Sequence, residues 1–122
     1  MNSKTLLRSV MLFVLMVVAA IAADVSGTWK ATFDTQIGQQ NYTYELKVDG
    51  DKLTGKATSD NGTSELTEGS VKGDAISFVE MLNYQGMPIR IEYKGKIAGD
   101  EIKFTRKVAD FASEDLVAKR VK

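Results

Sequence analysis

The chain has 122 residues, with 16 Lys and Arg against 16 Asp and Glu, and it contains neither Cys nor His. A chain of this length fits one domain. Without Cys and His it cannot form a disulfide, a thiolate nucleophile, a Ser-His-Asp triad or an ordinary zinc site. The balanced charge also lacks the basic excess that binding to nucleic acid requires. We therefore expect a single-domain protein without a metal site, a cofactor or a nucleic-acid partner.

The first 22 residues have the pattern of a secretory signal peptide. Two basic residues precede an unbroken apolar run over residues 10–23, and Ala20-Ile21-Ala22 matches the A-x-A cleavage pattern. A membrane anchor is the alternative, but the run is shorter than the roughly 20 residues that span a bilayer. We therefore predict that residues 1–22 are a cleaved signal peptide, with no stable membrane insertion afterwards. The protein would then be secreted or periplasmic, with residues 23–122 as its one domain.

After the apolar run, apolar and polar side chains alternate along most of the chain, and Gly, Asp and Asn interrupt the alternation. This is the pattern of strands with one buried and one solvent-exposed face. The fourth segment changes parity between Leu66 and Val71, which predicts a bulge near Gly69. The eight predicted strands cover residues 27–34, 42–48, 52–58, 64–72, 75–82, 89–97, 101–108 and 115–121.

The connections between these strands are of two kinds. Gly-Asp pairs follow the second, fourth and sixth strands, at residues 50–51, 73–74 and 99–100. Gly supplies a positive φ and Asp bonds its own backbone, so each pair predicts a tight hairpin. The other connections are expected to be longer, over residues 36–40, 59–63, 83–88 and 109–114. Eight antiparallel strands close into a barrel that holds side chains or one small ligand, and we expect the long-loop end to be its mouth.

A Gly-x-Trp sequence opens the first predicted strand and a basic pair closes the last. Ser26-Gly27-Thr28-Trp29 and Lys119-Arg120 resemble the corresponding residues of the calycins, the lipocalin and avidin-like barrels. Antiparallel closure brings Trp29 and Arg120 to the same end, where a guanidinium over an indole contributes about 0.5–2 kcal/mol. We expect Gly27, Trp29 and Arg120 to close the barrel. The predicted fold is all-β, an eight-stranded antiparallel up-and-down barrel of the lipocalin or avidin-like kind.

Two features separate the chain from those families. It has no disulfide, and Trp29 is its only Trp, which argues against a Trp-walled biotin site. The whole pattern also resembles small exported bacterial proteins that are labelled glycoside hydrolases. Glycoside hydrolysis needs two carboxyl groups about 5–9.5 Å apart, and the predicted register supplies no second inward acid near Glu80. A carbohydrate-active hydrolase or its accessory module therefore stays an alternative that rests on the resemblance, and we assign no catalytic residue.

The predicted register places two charged residues inside the barrel near the mouth, Glu80 and Arg106. An inward carboxylate and guanidinium can orient a polar group of a ligand, or they can form an ordinary ion pair. Phe33, Tyr42 and Tyr44 lie at the same end. Their rings could stack on a sugar or hold an apolar ligand, and they could equally belong to the core.

From these residues we expect an exported, non-catalytic binding protein. Its partner would be a small molecule, either apolar or a sugar, held at the long-loop mouth. The third possibility is an interaction module with a filled barrel, which acts through its outer surface or by self-association. The sequence leaves the oligomeric state open.

Overall fold

The alternating pattern folds as predicted: the computed structural model, which describes residues 24–122, is an all-β antiparallel barrel closed in the order β1 to β8. The predicted signal peptide, residues 1–22, lies outside the described residues. In the described part of the chain, no helix is long and apolar enough to cross a membrane. The strands are β1 (Gly27–Thr35), β2 (Gly38–Asp49), β3 (Lys52–Ser59), β4 (Gly62–Lys72), β5 (Ala75–Tyr84), β6 (Met87–Ala98), β7 (Glu101–Val108) and β8 (Ala112–Arg120).

The prediction of longer loops at one end is wrong. The four connections there contain only residues 36–37, 60–61, 85–86 and 109–111. The strands run past their predicted ends: in β1 and β2, for example, Phe33 pairs with Gln40 and Thr35 with Gly38. Polar residues at these positions interrupt the alternation, but the backbone groups still pair with each other. This end of the barrel, with its four short connections, is called the open end, and the opposite end is the Gly-Asp end.

The repeated Gly-Asp pairs turn the chain as predicted and also join neighbouring hairpins. Each glycine has a left-handed φ, as the first position of a two-residue type II′ turn requires; the values are +66° for Gly50, +60° for Gly73 and +63° for Gly99. The backbone carbonyl of each following Asp accepts an N–H from the next hairpin. These bonds run from Val71 to Asp51 at 2.9 Å, from Ile97 to Asp74 at 2.8 Å and from Arg120 to Asp100 at 2.9 Å.

The predicted bulge in β4 is confirmed. The register between β4 and β5 shifts between Thr67 and Ser70, on either side of Gly69. Glu68 has a φ of +53°, which is uncommon for a residue other than Gly. Its carboxylate accepts two hydrogen bonds from the Arg90 guanidinium at 2.7 and 3.1 Å. This pair lies outside the barrel and covers the bulge.

Aromatic rings fill the middle of the barrel. Phe78 and Tyr93 stack with their ring centroids 4.5 Å apart, and Tyr44 and Phe104 meet Tyr93 edge-on at 5.6 and 5.5 Å. All four rings are buried. Such ring pairs contribute about 0.5–1.5 kcal/mol each beyond the burial of their area. The core is therefore solid at its centre, and the internal pocket lies between this layer and the open end.

The barrel closes at the Gly-Asp end, where the three predicted closure residues meet. Trp29 of β1 pairs with Arg120 of β8, and the Arg120 guanidinium lies 4.4 Å from the centroid of the buried Trp29 ring. Arg120 Nη1 donates to the Ser26 carbonyl at 3.0 Å, and Trp29 Nε1 donates to the Val25 carbonyl at 2.9 Å. A Cβ on Gly27 would lie 3.4 Å from Arg120 Nη1, so the glycine leaves room for the guanidinium.

Candidate functional site

A pocket of about 240 Å³ lies inside the barrel at the open end. Its volume corresponds to roughly eight water molecules at about 30 Å³ each, so it suits a small molecule rather than a long chain. Tyr42 and Arg106 form its floor. The walls are mainly apolar and come from β5, β6 and β7 and from the β1–β2 and β7–β8 connections. They include Ile37, Leu82, Tyr84, Ile89, Ile91, Val108 and Phe111.

The guanidinium of Arg106 is held in place on three sides. Its Nε donates to the Tyr93 hydroxyl at 2.9 Å and its Nη2 to the Tyr42 hydroxyl at 3.0 Å. Its Nη1 donates to the Glu114 carboxylate at 2.6 Å. Its Cζ atom also lies 5.3 Å from the centroid of the Phe33 ring. Because Arg106 is buried and each nitrogen has a partner, its orientation is fixed before any ligand arrives.

Glu80 lies beneath this floor and is 1 % exposed. Its two carboxylate oxygens accept hydrogen bonds at 2.9 Å from the hydroxyls of Tyr42 and Tyr93. Arg106 Nη2 is 3.9 Å from Glu80 Oε1. Each tyrosine hydroxyl already accepts a hydrogen bond from Arg106, so its own proton is free to donate to Glu80. Both oxygens of Glu80 therefore act as acceptors, as in an ionised carboxylate. Tyr44 extends the network through its hydroxyl, 3.0 Å from that of Tyr93.

Burial governs the titration of this network. It raises the pKa of the Glu80 carboxyl above its usual value, while Arg106 and the two tyrosine hydroxyls partly offset the rise. Burial also raises the pKa of Tyr42 to about 12 and the pKa values of Tyr44 and Tyr93 well above the usual tyrosine value. The three phenols therefore remain protonated at neutral pH and act as hydrogen-bond donors.

The five predicted ligand-binding residues all lie in one connected cluster, but they have different positions in it. Tyr42 and Arg106 line the pocket. Glu80 and Tyr44 lie below the floor: Glu80 contacts the hydroxyl of Tyr42, and Tyr44 is connected to Arg106 through the hydroxyl of Tyr93. Phe33 stacks on Tyr42 with the ring centroids 5.5 Å apart and lines a cleft between β1 and β8 rather than the pocket.

Glu114 is a site residue that the sequence pattern did not predict. It lines the pocket and contacts Arg106, with a side chain only 10 % exposed. This corrects the expectation that no second inward acid lies near Glu80. The prediction began the last strand at residue 115, whereas β8 begins at Ala112. Leu116 and Ala118 point inward, so the same alternation extended by one step would have placed Glu114 inside the barrel.

Two further polar contacts at the rim were also missed. Gln40 is buried and accepts a hydrogen bond from the Asn61 side chain at 3.2 Å. Gln36 donates its side-chain amide to the carbonyl of Phe111 at 3.2 Å, which links the two connections on either side of the β1–β8 seam. Gln40 lies two residues before the inward Tyr42, so the alternation of β2 extended by one step would have placed it inside the barrel. Gln36 lies in a connection, where no pattern in the sequence marks it as bridging.

The chemistry of the site is that of orientation and hydrogen bonding. Within residues 24–122, no group of three or more acidic, Cys or His side chains could hold a metal ion. In the same part of the chain every buried side-chain nitrogen and oxygen has a hydrogen-bond partner. The eight-stranded antiparallel barrel is compatible with a calycin-like fold. No protein-family model matches the chain, and no similar protein was found among curated proteins or solved structures.

Proposed function

We propose that this protein binds a small, mainly apolar ligand in the pocket at the open end of the barrel and does not convert it. The observation that carries the proposal is an internal pocket of about 240 Å³ with mainly apolar walls above a preoriented Arg106 and Tyr42. Apolar surface removed from water contributes about 25 cal/mol per Å². The few polar groups at the floor would fix the orientation of the ligand, as in calycin-type carriers. From the predicted signal peptide we infer that this binding occurs in the periplasm or outside the cell.

The charges at the floor favour a neutral polar group on the ligand. Arg106 is one positive charge in contact with two acids, Glu80 and Glu114. A ligand carboxylate would add a third negative charge, which like-charge repulsion disfavours. A guanidinium has five N–H donors, and three of them are used by Tyr93, Tyr42 and Glu114. An oxygen of an alcohol, ether or carbonyl can accept one of the remaining two.

The wall chemistry favours an apolar molecule over a sugar. A sugar carries hydroxyl groups around its ring, and most of them would face Leu82, Ile89, Ile91 and Val108 without a hydrogen-bond partner. Leaving a polar group buried and unpaired costs about 1–3 kcal/mol. A short alkyl or cyclic molecule with one oxygen-containing group satisfies both the walls and the floor.

Filling the pocket tests this proposal. Ile89 and Ile97 are both half-buried residues of β6, and they lie at opposite ends of the barrel. We expect 1-hexanol to shift the NMR signals of pocket residues, with weaker shifts from hexanoate and none from glucose. Ile89→Trp should abolish the hexanol shifts because the indole occupies the pocket, whereas the matched variant Ile97→Trp should retain them. Equal shifts in both variants, or none in the wild type, would contradict the proposal.

A second candidate, the carbohydrate-active hydrolase, is favoured by one observation. Glu80 has a pKa raised by burial, and Glu114 is a second acid that contacts the same guanidinium. Against it, both oxygens of Glu80 are occupied by tyrosine hydroxyls. Turnover of aryl glycosides that is lost in both Glu80→Gln and Glu114→Gln would support the hydrolase. Turnover that neither substitution changes would come from a contaminant.

A further inference from the structure

The seam between β1 and β8 is the least complete strand junction of the barrel. Its register contains only Trp29↔Arg120 and Lys30↔Lys119, whereas every other neighbouring pair of strands shares at least five register pairs. Beyond this point, and within the part of the chain that the structure describes, residues 31–35 pair with β2 alone and residues 112–118 with β7 alone. A cleft of about 1160 Å³ runs along these two edges.

The charges along the seam disfavour its further closure within one chain. Lys30 and Lys119, which are register partners, both point outward. Four positions further along the same register, Asp34 would lie opposite Asp115, with Thr32 and Val117 between. Like charges directly opposite each other on neighbouring strands are destabilising. Extension of the seam to the open end within one chain would therefore oppose two carboxylates in addition to the two ammonium groups already opposed.

An open strand edge carries backbone N–H and C=O groups that can pair with another strand. We propose that a second copy of this chain pairs with both edges, so that two barrels form a twofold dimer across their seams. The cleft residues Lys30, Thr32, Asp34, Asp115, Val117 and Lys119 form the interface. The pocket at the open end is not needed for this pairing, so the dimer is independent of the proposed ligand binding.

A twofold axis perpendicular to the strands makes the seam charges complementary. It places β1 antiparallel to the β1 of the second copy, and β8 antiparallel to its β8. The register pair Lys30↔Lys119 within each chain separates and frees these positions, so each Lys30 meets Asp34 of the partner subunit and each Asp115 meets Lys119 of the partner subunit. Val117, an apolar side chain 40 % exposed in the single chain, meets the partner's Val117 at the axis. Opposite charges in directly facing positions stabilise paired strands.

The direction of the strands favours a second copy over a single inserted peptide. β1 and β8 are antiparallel to each other, so one strand inserted between them would be parallel to one of the two edges. The twofold arrangement is antiparallel at both edges, and antiparallel pairing is slightly more stable per residue. The second copy also presents an opposite charge to each charged residue of the seam, because it has the same sequence.

The experiment is to express the full chain in an exporting host, purify it as the cell processes it, and measure its mass by light scattering over a concentration series. We expect a dimer at low salt that weakens as salt rises, because the paired charges are exposed. Asp115→Lys opposes two lysines at each β8 contact and should raise the dimer dissociation constant at least about tenfold. Exchanging the seam charges on both strands (Lys30→Asp, Asp34→Lys, Asp115→Lys and Lys119→Asp) restores opposite charges between the copies and keeps like charges opposed within one chain, so it should restore the dimer.

Glu45→Lys is the matched control, since it makes the same change of charge on the outer face of β2, away from the seam. It should leave the dimer unchanged. The restored fourfold variant shows that the single one fails to pair for electrostatic reasons and not because it misfolds. A monomer at every concentration in low salt would overturn the proposal, and so would a dimer that Asp115→Lys leaves intact. A monomer that copurifies with an extended peptide would overturn it in favour of an inserted strand.

Discussion

Arg106 holds the interior network together because it is the positive charge that two inward acids share. Its Nη1 is 2.6 Å from Glu114, and its Nη2 is 3.9 Å from Glu80. Removing one partner of a buried ion pair leaves the other charge buried without compensation, which costs about 3–5 kcal/mol. We therefore expect Arg106→Met to lower the free energy of unfolding by about this amount, measured by urea denaturation.

An exposed ion pair provides the control for this prediction. Arg90 forms a two-bond contact with Glu68 on the outside of the barrel, with both side chains about half exposed. Exposed pairs contribute little to stability, so Arg90→Met should barely move the urea midpoint. Replacing Glu80 together with Arg106 by Met should recover part of the lost stability, because one of the two uncompensated acids is then gone. If Arg106→Met is as stable as Arg90→Met, Arg106 does not hold the interior network together.

Glu80 should make the stability of the protein fall as pH rises. Burial raises its pKa in the folded state above the ordinary value of 4.5, so between these two values the folded chain binds more protons than the unfolded chain. Under this condition the free energy of unfolding decreases with increasing pH. The stabilisation that comes from protonated Glu80 is complete below pH 4.5 and is lost as pH rises through the raised pKa of Glu80.

The measurement compares wild type with Glu80→Gln at a series of pH values on both sides of 4.5. Asp24, Glu68 and Asp100 have lowered pKa values because of their hydrogen bonds, and their effects cancel in the comparison. The wild type should lose stability relative to the variant as pH rises through this window. A constant difference would show that the Glu80 carboxyl titrates alike in the folded and unfolded chains.

At the scale of the strands, the sequence predicts what side-chain alternation controls. All eight strands, their order and the bulge near Gly69 follow from the period of two, because one face of each strand must be buried. The inward positions of Glu80 and Arg106 follow from the same period. These residues could be placed without a structure because a strand offers only two faces.

The ends of the strands and the seam could not be predicted in this way. Polar residues such as Gln40 end the alternation while the backbone continues to pair, so the predicted loops were too long and Glu114 fell into one of them. Asp34 and Asp115 approach the same seam from distant parts of the chain. Their opposition depends on the register between the first and last strands, which no local pattern reveals.

At the scale of the whole molecule, closure depends on a short contact between the two ends of the described chain. Backbone pairing between β1 and β8 covers two register pairs, and one of them opposes Lys30 to Lys119. The favourable part of the junction is therefore Arg120, which lies over Trp29 and donates to the Ser26 carbonyl at 3.0 Å. Because this contact joins the first and last strands of the barrel, its loss should weaken the pairing of β1 with β8 along the entire seam.

Arg120→Ala should consequently lower the free energy of unfolding by about 2–4 kcal/mol, the sum of a cation–π contact and hydrogen bonds to a charged group. Opening of the seam should also expose Trp29, so its fluorescence should shift to longer wavelength, and amide exchange should speed up at Thr28 and Lys30. Lys122→Ala is the control, since Lys122 contacts Asp100 at 2.8 Å with its side chain largely exposed. A loss of stability without any change at Trp29 would mean that Arg120 stabilises the chain elsewhere and does not hold the two end strands together.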